Sequence, residues 1–184
     1  MSAMNRAVFL DRDGTLIVEK EYLHKVADVE IYPDAAAALK KLQAAGFKLI
    51  IVTNQAGVGR GYYPISDVDK VNAHIAAEFA RGGVRFEKFY VAPEAPGQPS
   101  RARKPSPQFL YDARDEFGLD LAQSYMIGDK LLDLECGWNA GVKKSLLVRT
   151  GYGKEWEQKE PAKVARAVVV DDMTAAAEWI LAQK

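Results

Sequence analysis

The composition is that of an ordinary globular chain without net charge. Its 184 residues include 25 lysines and arginines against 25 aspartates and glutamates, and 48% of the residues are hydrophobic. This length predicts a single domain with an adequate core over residues 1–184. The charge balance disfavours a protein that binds nucleic acid through phosphate neutralisation. The single cysteine, Cys136, excludes an internal disulfide and fits a reducing compartment.

The first predicted strand, Ala7 to Leu10, ends in an acidic turn. Its four apolar residues, bounded by charge, are typical of a buried strand in a parallel sheet. Asp11 and Asp13 follow at the carboxyl end, where open α/β sheets bind ligands. Because two adjacent carboxylates repel each other, the pair indicates a hard cation such as Mg²⁺, although an ordinary polar turn is the alternative. Gly14 and Thr15 add a tight turn and a hydroxyl group.

Residues 16–31 lack the periodicity of a helix and the turn residues of a hairpin. We interpret them as an irregular excursion that lies over the acidic turn and brings side chains toward a substrate. The candidates for this role are Glu19, Lys20, Glu21, Tyr22 and His24, of which His24 is more simply a solvated loop residue.

The next segment predicts a helix over Ala35 to Ala45 and a buried strand over Phe47 to Val52. The strand leads into a glycine-rich loop, residues 53–61, whose backbone N–H groups and Thr53 hydroxyl could hold phosphate oxygens. Apolar residues at helical spacing then predict a helix over Ile65 to Phe79.

A third strand, Phe86 to Ala92, precedes a stretch that holds five of the eight prolines. Prolines stiffen this stretch, residues 93–107, which carries the cations Arg101, Arg103 and Lys104. One interpretation is a rigid arm that brings positive charge to the acidic strand ends. The other is a surface loop with solvated basic residues.

A helix from Ser106 or Pro107 to Phe117 is followed by a strand over Ser124 to Ile127. This strand ends at Asp129, and we expect Asp133 one helical turn further on the same face. Both acids would also stabilise the N-terminus of the helix that follows, and this role is compatible with metal binding.

The last third predicts a strand over residues 144–148, a polar surface loop over 149–163, an edge strand over 167–170 and a closing helix over 174–182. We expect Cys136 to be a packing residue of a helix. The alternation of strands and helices predicts an α/β, three-layer Rossmann-like sandwich with a mainly parallel sheet.

Four groups at the predicted strand ends together resemble the haloacid dehalogenase-like phosphohydrolases. The matching motifs are Asp11-Arg-Asp13-Gly14-Thr15, Thr53, Lys104, and Gly128-Asp129 with Asp133. The resemblance covers nearly the whole chain and implies the fold of that family with a minimal cap.

The resemblance also implies a mechanism. Asp11 would be the nucleophile that forms an aspartyl-phosphate, and Asp13 would be the general acid and base. The Asp11 carboxylate, the Asp13 carbonyl and Asp129 would hold Mg²⁺, while Thr53 and Lys104 would stabilise the transferring phosphoryl group.

Residues 9–15, 53–61, 103–105 and 126–130 are similar to one subfamily, that of the D-glycero-D-manno-heptose 1,7-bisphosphate 7-phosphatases and the histidinol-phosphate phosphatases. This similarity implies hydrolysis of a sugar phosphate, with the 7-phosphate of a heptose 1,7-bisphosphate as the leading candidate and histidinol phosphate or another small phosphomonoester as the alternative. The implied substrate-binding residues are Glu19, Lys20, Glu21, Tyr22, Asn54, Gln55, Arg103 and Lys130. Charge alone adds Arg60 and Arg101 as candidates for binding a distant second phosphate.

Many members of the family carry a structural zinc ion, bound by three cysteines and a histidine before the Arg-Lys-Pro motif. Residues 91–103 contain neither residue type, and the whole chain has one cysteine and two histidines. Because a closed zinc site needs four such ligands, we predict no zinc.

Two other classes share some of these features. A phosphoacceptor module resembling a response-regulator receiver also uses Mg²⁺, an aspartate and a lysine, but its aspartate ends a central third strand, and nothing acidic ends the strand before Pro93. A catalytically idle binding protein is the third alternative. The absence of an 18-residue apolar run and the single cysteine lead us to expect a cytoplasmic protein without a membrane partner. We also expect a monomer that binds a small molecule, and the charge balance predicts no nucleic-acid partner.

Overall fold

The computed structural model describes residues 5–183, and a parallel sheet of six strands forms their centre. The strands are β1 (Arg6–Leu10), β2 (Phe47–Asn54), β3 (Lys88–Ala92), β4 (Tyr125–Gly128), β5 (Lys144–Val148) and β6 (Val168–Val170). They lie in the order β3-β2-β1-β4-β5-β6. β1 is flanked by β2 and β4, so the carboxyl ends of these three strands meet at one point of the sheet edge.

Helices cover both faces of this sheet. They are α1 (Ala35–Ala44), α2 (Ala56–Gly59), α3 (Ile65–Arg81), α4 (Gln108–Phe117), α5 (Leu131–Ala140), α6 (Gly153–Lys159), α7 (Pro161–Val164) and α8 (Met173–Leu181). One core joins the sheet to α1, α3 and α8, and a second joins its other face to α4 and α5. The predicted three-layer α/β sandwich is confirmed.

β1 is buried because its alternate side chains enter both cores. Val8 and Leu10 belong to the first core, and Ala7 and Phe9 belong to the second. Leu10 pairs with Ile51 on one side and with Ile127 on the other. The residues that follow Leu10 therefore emerge between the ends of β2 and β4.

Several predicted boundaries shift by a few residues. β3 begins at Lys88 rather than Phe86. Phe86 lies before the strand, and its ring packs between Phe79 and Phe89, at 5.2 and 5.5 Å between ring centroids. β4 begins at Tyr125 rather than Ser124, whose hydroxyl accepts a bond from the Ala7 N–H at 3.0 Å. The closing helix and the short edge strand are confirmed as α8 and β6.

The prediction of a polar loop over residues 149–163 is wrong, because α6 and α7 occupy most of it. Trp156 packs beside Val164 and Leu147 in a small third core. Gly153 lies so close to β5 that an added Cβ would be 1.7 Å from the Val148 carbonyl oxygen. Single apolar residues widely spaced in a polar stretch anchor these helices, so hydrophobic periodicity does not reveal them.

The excursion over residues 16–31 is irregular, as expected, apart from a short 3₁₀ turn at Val26–Asp28. It is tied to the molecule by Leu16, Ile17 and Leu23, which are buried in the first core. Across residues 5–183, no helix is long and apolar enough to cross a bilayer.

Candidate active site

Three buried carboxylates meet where β1 and β4 end. Oxygen atoms of Asp11, Asp129 and Asp133 lie within 4.8 Å of one another. Asp11 follows β1 and Asp129 follows β4. Asp133 lies in the first turn of α5, where its Oδ2 accepts a hydrogen bond from the Lys130 N–H at 3.0 Å. Asp129 thus precedes the helix, and the expectation that the two acids share one helix face is wrong.

The buried ammonium group of Lys104 holds two of these carboxylates. Its Nζ lies 2.7 Å from Asp11 Oδ1 and 2.6 Å from Asp133 Oδ1, and it donates to the Val52 carbonyl at 2.7 Å. Burial alone would lower the pKa of Lys104, but the charges of Asp11 and Asp133 raise it above its usual range. Lys104 therefore stays charged across the neutral range.

Burial and the neighbouring charges shift the pKa values of Asp11 and Asp129 in opposite directions. Burial would raise the pKa of Asp11, but the ammonium groups of Lys104 and Lys130 hold it below its usual value. Burial and the nearby charge of Asp11 raise the pKa of Asp129 well above its usual value. Two ammonium groups face three carboxylates here, so the cluster favours an additional cation beside Asp129.

The surroundings of Asp129 fit a hard metal ion. Its Oδ2 accepts a bond from the Tyr152 N–H at 2.9 Å, whereas its buried Oδ1 has no hydrogen-bond partner among residues 5–183. Added Cβ atoms at Gly14 and Gly151 would lie 2.1 and 2.2 Å from Asp129 Oδ2, so glycine is required at both positions. An unpaired carboxylate oxygen beside a second carboxylate, Asp11, is a donor set that suits Mg²⁺.

Asp13 belongs to a separate hydrogen-bond network beside this cluster. Gln55 Nε2 donates to Asp13 Oδ2 at 2.9 Å and to the Thr53 hydroxyl oxygen at 2.8 Å. Arg12 also binds the Asp13 carboxylate. Asp13 borders both the small cavity over the acidic cluster and the larger cavity outside it.

The glycine-rich loop differs from the prediction. β2 continues to Asn54, and α2 forms at Ala56–Gly59. The N–H groups of residues 58–61 donate to backbone carbonyl groups of the protein and are not free to bind phosphate. Gly57 and Gly59 permit close packing instead, since added Cβ atoms would lie 2.3 Å from the Tyr63 ring and 2.5 Å from the Ala95 nitrogen.

An open cavity of about 420 Å³ lies outside the acidic cluster. Most of the predicted substrate-binding residues line it, namely Glu19, Glu21, Tyr22, Asn54, Gln55, Arg103 and Lys130. Lys20 does not line it, and its ammonium group pairs with Glu30 at 3.2 Å. Arg101 also points elsewhere, and its guanidinium forms two 2.6 Å hydrogen bonds with Asp112.

The cavity has a wall that sequence reasoning missed. Tyr152, Glu155 and Trp156 line it from α6 and the residue that caps this helix, and Tyr63 lines it from the segment after α2. The ammonium group of Lys130 lies 4.8 Å from the Tyr152 ring centroid. The only sign of this wall in the sequence is the pair Tyr152 and Trp156, two aromatic residues four positions apart in a polar stretch.

Comparisons with known proteins place this chain among sequence relatives of one family. A family model described as HAD-hydrolase-like matches residues 101–176. The D-glycero-alpha-D-manno-heptose-1,7-bisphosphate 7-phosphatase of Campylobacter jejuni is 38% identical over 143 residues, covering 78% of this chain and 82% of the relative. The corresponding beta-heptose enzyme of Escherichia coli K12 is 36% identical over 152 residues, covering 79% of this chain and 80% of the relative.

A solved structure shows the same architecture. The D,D-heptose 1,7-bisphosphate phosphatase of B. bronchiseptica, in complex with magnesium and phosphate, superposes with a TM-score of 0.88 at 26% identity. The match covers 97% of this chain and 99% of that one. Fold and site thus define the class of HAD-like hydrolases. Within that class, the chain belongs to the family of the heptose-1,7-bisphosphate 7-phosphatases.

Proposed function

We propose that this protein is a Mg²⁺-dependent phosphatase that removes the 7-phosphate of D-glycero-D-manno-heptose 1,7-bisphosphate through an aspartyl-phosphate on Asp11. The proposal depends on three properties of Asp11: its burial, its low pKa and its position at a cavity. This carboxylate is buried at the end of β1, its pKa is held low by Lys104 and Lys130, and it borders a small cavity that adjoins a larger one. An ionised, fixed carboxylate below a substrate-sized opening is suited to nucleophilic attack.

In the first step, an Asp11 oxygen bonds to phosphorus while the bond from phosphorus to the sugar oxygen breaks. Asp13 gives its proton to that departing oxygen, which would otherwise leave as an alkoxide. Asp13 borders both cavities, which supports its role as the acid between the nucleophile and the sugar. In the second step, Asp13 takes a proton from the water that cleaves the aspartyl-phosphate.

Several groups are placed to stabilise the negative charge of the phosphoryl group. Lys104 is fixed by three contacts at the floor of the site, and the Thr53 hydroxyl lies at the end of β2. The carboxylates of Asp11 and Asp129 and the backbone carbonyl of Asp13 would hold Mg²⁺. When bound, this ion neutralises the phosphoryl oxygens and helps to orient them.

The outer cavity supports recognition of a sugar that carries a second phosphate. Glu19 and Glu21 offer carboxylates to hydroxyl groups. The Arg103 guanidinium donates to the Glu94 carbonyl at 2.9 Å, which fixes it at the cavity wall as a cation for the phosphate that is not cleaved. Relatives named for the alpha and the beta anomer have similar sequence identity to this chain, 38% and 36%, so both anomers belong in the assay.

The test is phosphate release with Mg²⁺ from a panel of both heptose bisphosphate anomers, histidinol phosphate and fructose 1,6-bisphosphate. We expect one heptose anomer to have the highest kcat/KM, and Asp11→Asn to remove turnover while the circular dichroism spectrum stays unchanged. Much faster turnover of histidinol phosphate would contradict the proposed substrate. Full activity of Asp11→Asn would contradict the proposed nucleophile.

A further inference from the structure

An arginine lies between the two catalytic aspartates in sequence, and its side chain is completely buried. Arg12 is 0% exposed and is among the largest side chains in the interior. Its guanidinium donates from Nε to Asp13 Oδ2 at 2.9 Å and from Nη2 to Asp13 Oδ1 at 3.1 Å. Both oxygens of the Asp13 carboxylate are thereby held by one planar group, which fixes the plane of the carboxylate.

The remaining contacts of Arg12 reach two other parts of the chain. Nη1 donates to Asn72 Oδ1 at 2.9 Å, and Nη2 approaches the Leu23 carbonyl oxygen at 3.5 Å. Asn72 is a buried polar residue of α3, and Leu23 lies in the excursion over the site. A turn alone does not require a buried cation. A charge is costly to bury unless it is paired. Here Asp13 pairs with the guanidinium, and Asn72 and the Leu23 carbonyl hold the guanidinium in place beside it.

The two oxygens of Asp13 are not equivalent. Oδ2 accepts hydrogen bonds from both Arg12 and Gln55, whereas Oδ1 accepts one from Arg12 alone among the described residues. Oδ1 thus keeps a lone pair that is free to carry a proton, while both lone pairs of Oδ2 are occupied. Asp13 itself lines the cavity that would receive the sugar.

We propose that Arg12 is the positioning residue for the general acid. It holds the Asp13 carboxyl group so that Oδ1 presents the transferable proton, and it ties this orientation to Asn72 and to the excursion. The inference rests on the proposed function. As the Asp11–phosphorus bond forms and the bond from phosphorus to the sugar oxygen breaks, the proton moves from Asp13 Oδ1 to that sugar oxygen.

The test compares two leaving groups in the first turnover of Arg12→Lys, which keeps the charge and loses the planar fork. A sugar alkoxide needs a proton to leave, whereas the nitrophenolate of p-nitrophenyl phosphate does not. We expect the first-turnover rate with the heptose bisphosphate to fall about 100-fold, the scale of general acid catalysis, and the burst of nitrophenolate to change little. Asp13→Asn should show the same selectivity, and Arg85→Lys, at an exposed arginine, should match wild type on both substrates.

An equal loss on both substrates would overturn the inference, because a merely structural arginine has no preference between leaving groups. Asn72→Ala removes only the Nη1 contact and serves as a second variant if Arg12→Lys does not fold. It should show a smaller loss in the same direction, and an equal loss on both substrates would again overturn the inference. Failure of the proposed function is distinct, since the wild-type protein would then release phosphate from no sugar phosphate.

Discussion

The side chain of Asn54 pairs with both backbone polar groups of Lys104. Its Oδ1 accepts from the Lys104 N–H at 3.0 Å, and its Nδ2 donates to the Lys104 carbonyl oxygen at 3.2 Å. Asn54 is the last residue of β2, while Lys104 lies in a proline-rich loop 50 positions later. The sheet edge thus fixes the backbone of the lysine whose ammonium group holds Asp11.

Replacing Asn54 by alanine should displace Lys104 without unfolding the protein. Loss of two hydrogen bonds should lower the free energy of unfolding by about 1–3 kcal/mol. A small shift of the ammonium group should reduce kcat about 100-fold, as measured by steady-state phosphate release. Asn139→Ala is the matched control, because exposed Asn139 donates to the next carbonyl group, that of Pro105, at 3.0 Å. Similar losses of kcat in both variants would contradict a specific role for Asn54.

The ion pair of Glu19 and Lys130 joins the excursion to the start of α5 across the cavity. Their oxygen and nitrogen atoms lie 2.8 Å apart, and their side chains are 14% and 32% exposed. Glu19→Gln should raise KM about fivefold with a smaller change in kcat, since a pair of this exposure contributes about 1 kcal/mol to placing the excursion. Glu30→Gln, which removes an exposed partner of Lys20, is the control. A fall in kcat at constant KM would count against this role.

Mg²⁺ should stabilise the folded protein through Asp129. At ten times its dissociation constant, the ion should add about 1.4 kcal/mol, or about 4 °C in Tm for a chain of this length. Thermal denaturation of Asp129→Asn should show no such shift, because the amide has no negative charge and carries an NH2 group in place of one of the two carboxylate oxygens. Asp28→Asn, which replaces an exposed acid, should keep the Mg²⁺-dependent rise in Tm. An equal Mg²⁺ shift in Asp129→Asn would place the ion elsewhere.

The Cys136 thiol should be almost unreactive in the native protein. It lies in the second core, and burial raises its pKa to about 12. Iodoacetamide at pH 8 should therefore label it at least about 100-fold more slowly than in denaturant, because the thiolate is the nucleophile. Rapid labelling of the folded chain would show that the thiol is exposed or ionised.

The same pKa shift predicts a loss of stability at alkaline pH. Above pH 9, the unfolded chain releases the thiol proton while the folded protein retains it, so unfolding becomes easier as the pH rises toward about 12. Cys136→Ala should flatten this part of the curve of unfolding free energy against pH. An unchanged slope would mean that other groups cause the decline.

Much of the sheet was predictable because each central strand is a short apolar run bounded by polar residues. β1 shows this most clearly, and its position fixes where Asp11 emerges. The acids at strand ends could be grouped because parallel strands end at the same edge. The absence of zinc and the monomeric state stay predictions.

Other features depend on contacts distant in sequence and could not be predicted. The sequence pattern makes Arg12 a charged turn residue, yet Asn72 and Leu23 complete a buried pocket for it. Lys20 shares a stretch with Glu19, but Glu30 pairs with it outside the cavity. α6 depends on Trp156 packing into a core that exists only after β5 and α7 are in place.

In the proposed mechanism, Asp11 becomes phosphorylated during every turnover. The most direct measurement is an acid quench within the first turnover of substrate labelled with ³²P at the cleaved phosphate, followed by peptide mapping. Label should appear on the peptide that contains Asp11, should be released by hydroxylamine and should be absent from Asp11→Asn. Turnover without covalent label, or label on a peptide that lacks Asp11, would contradict the mechanism.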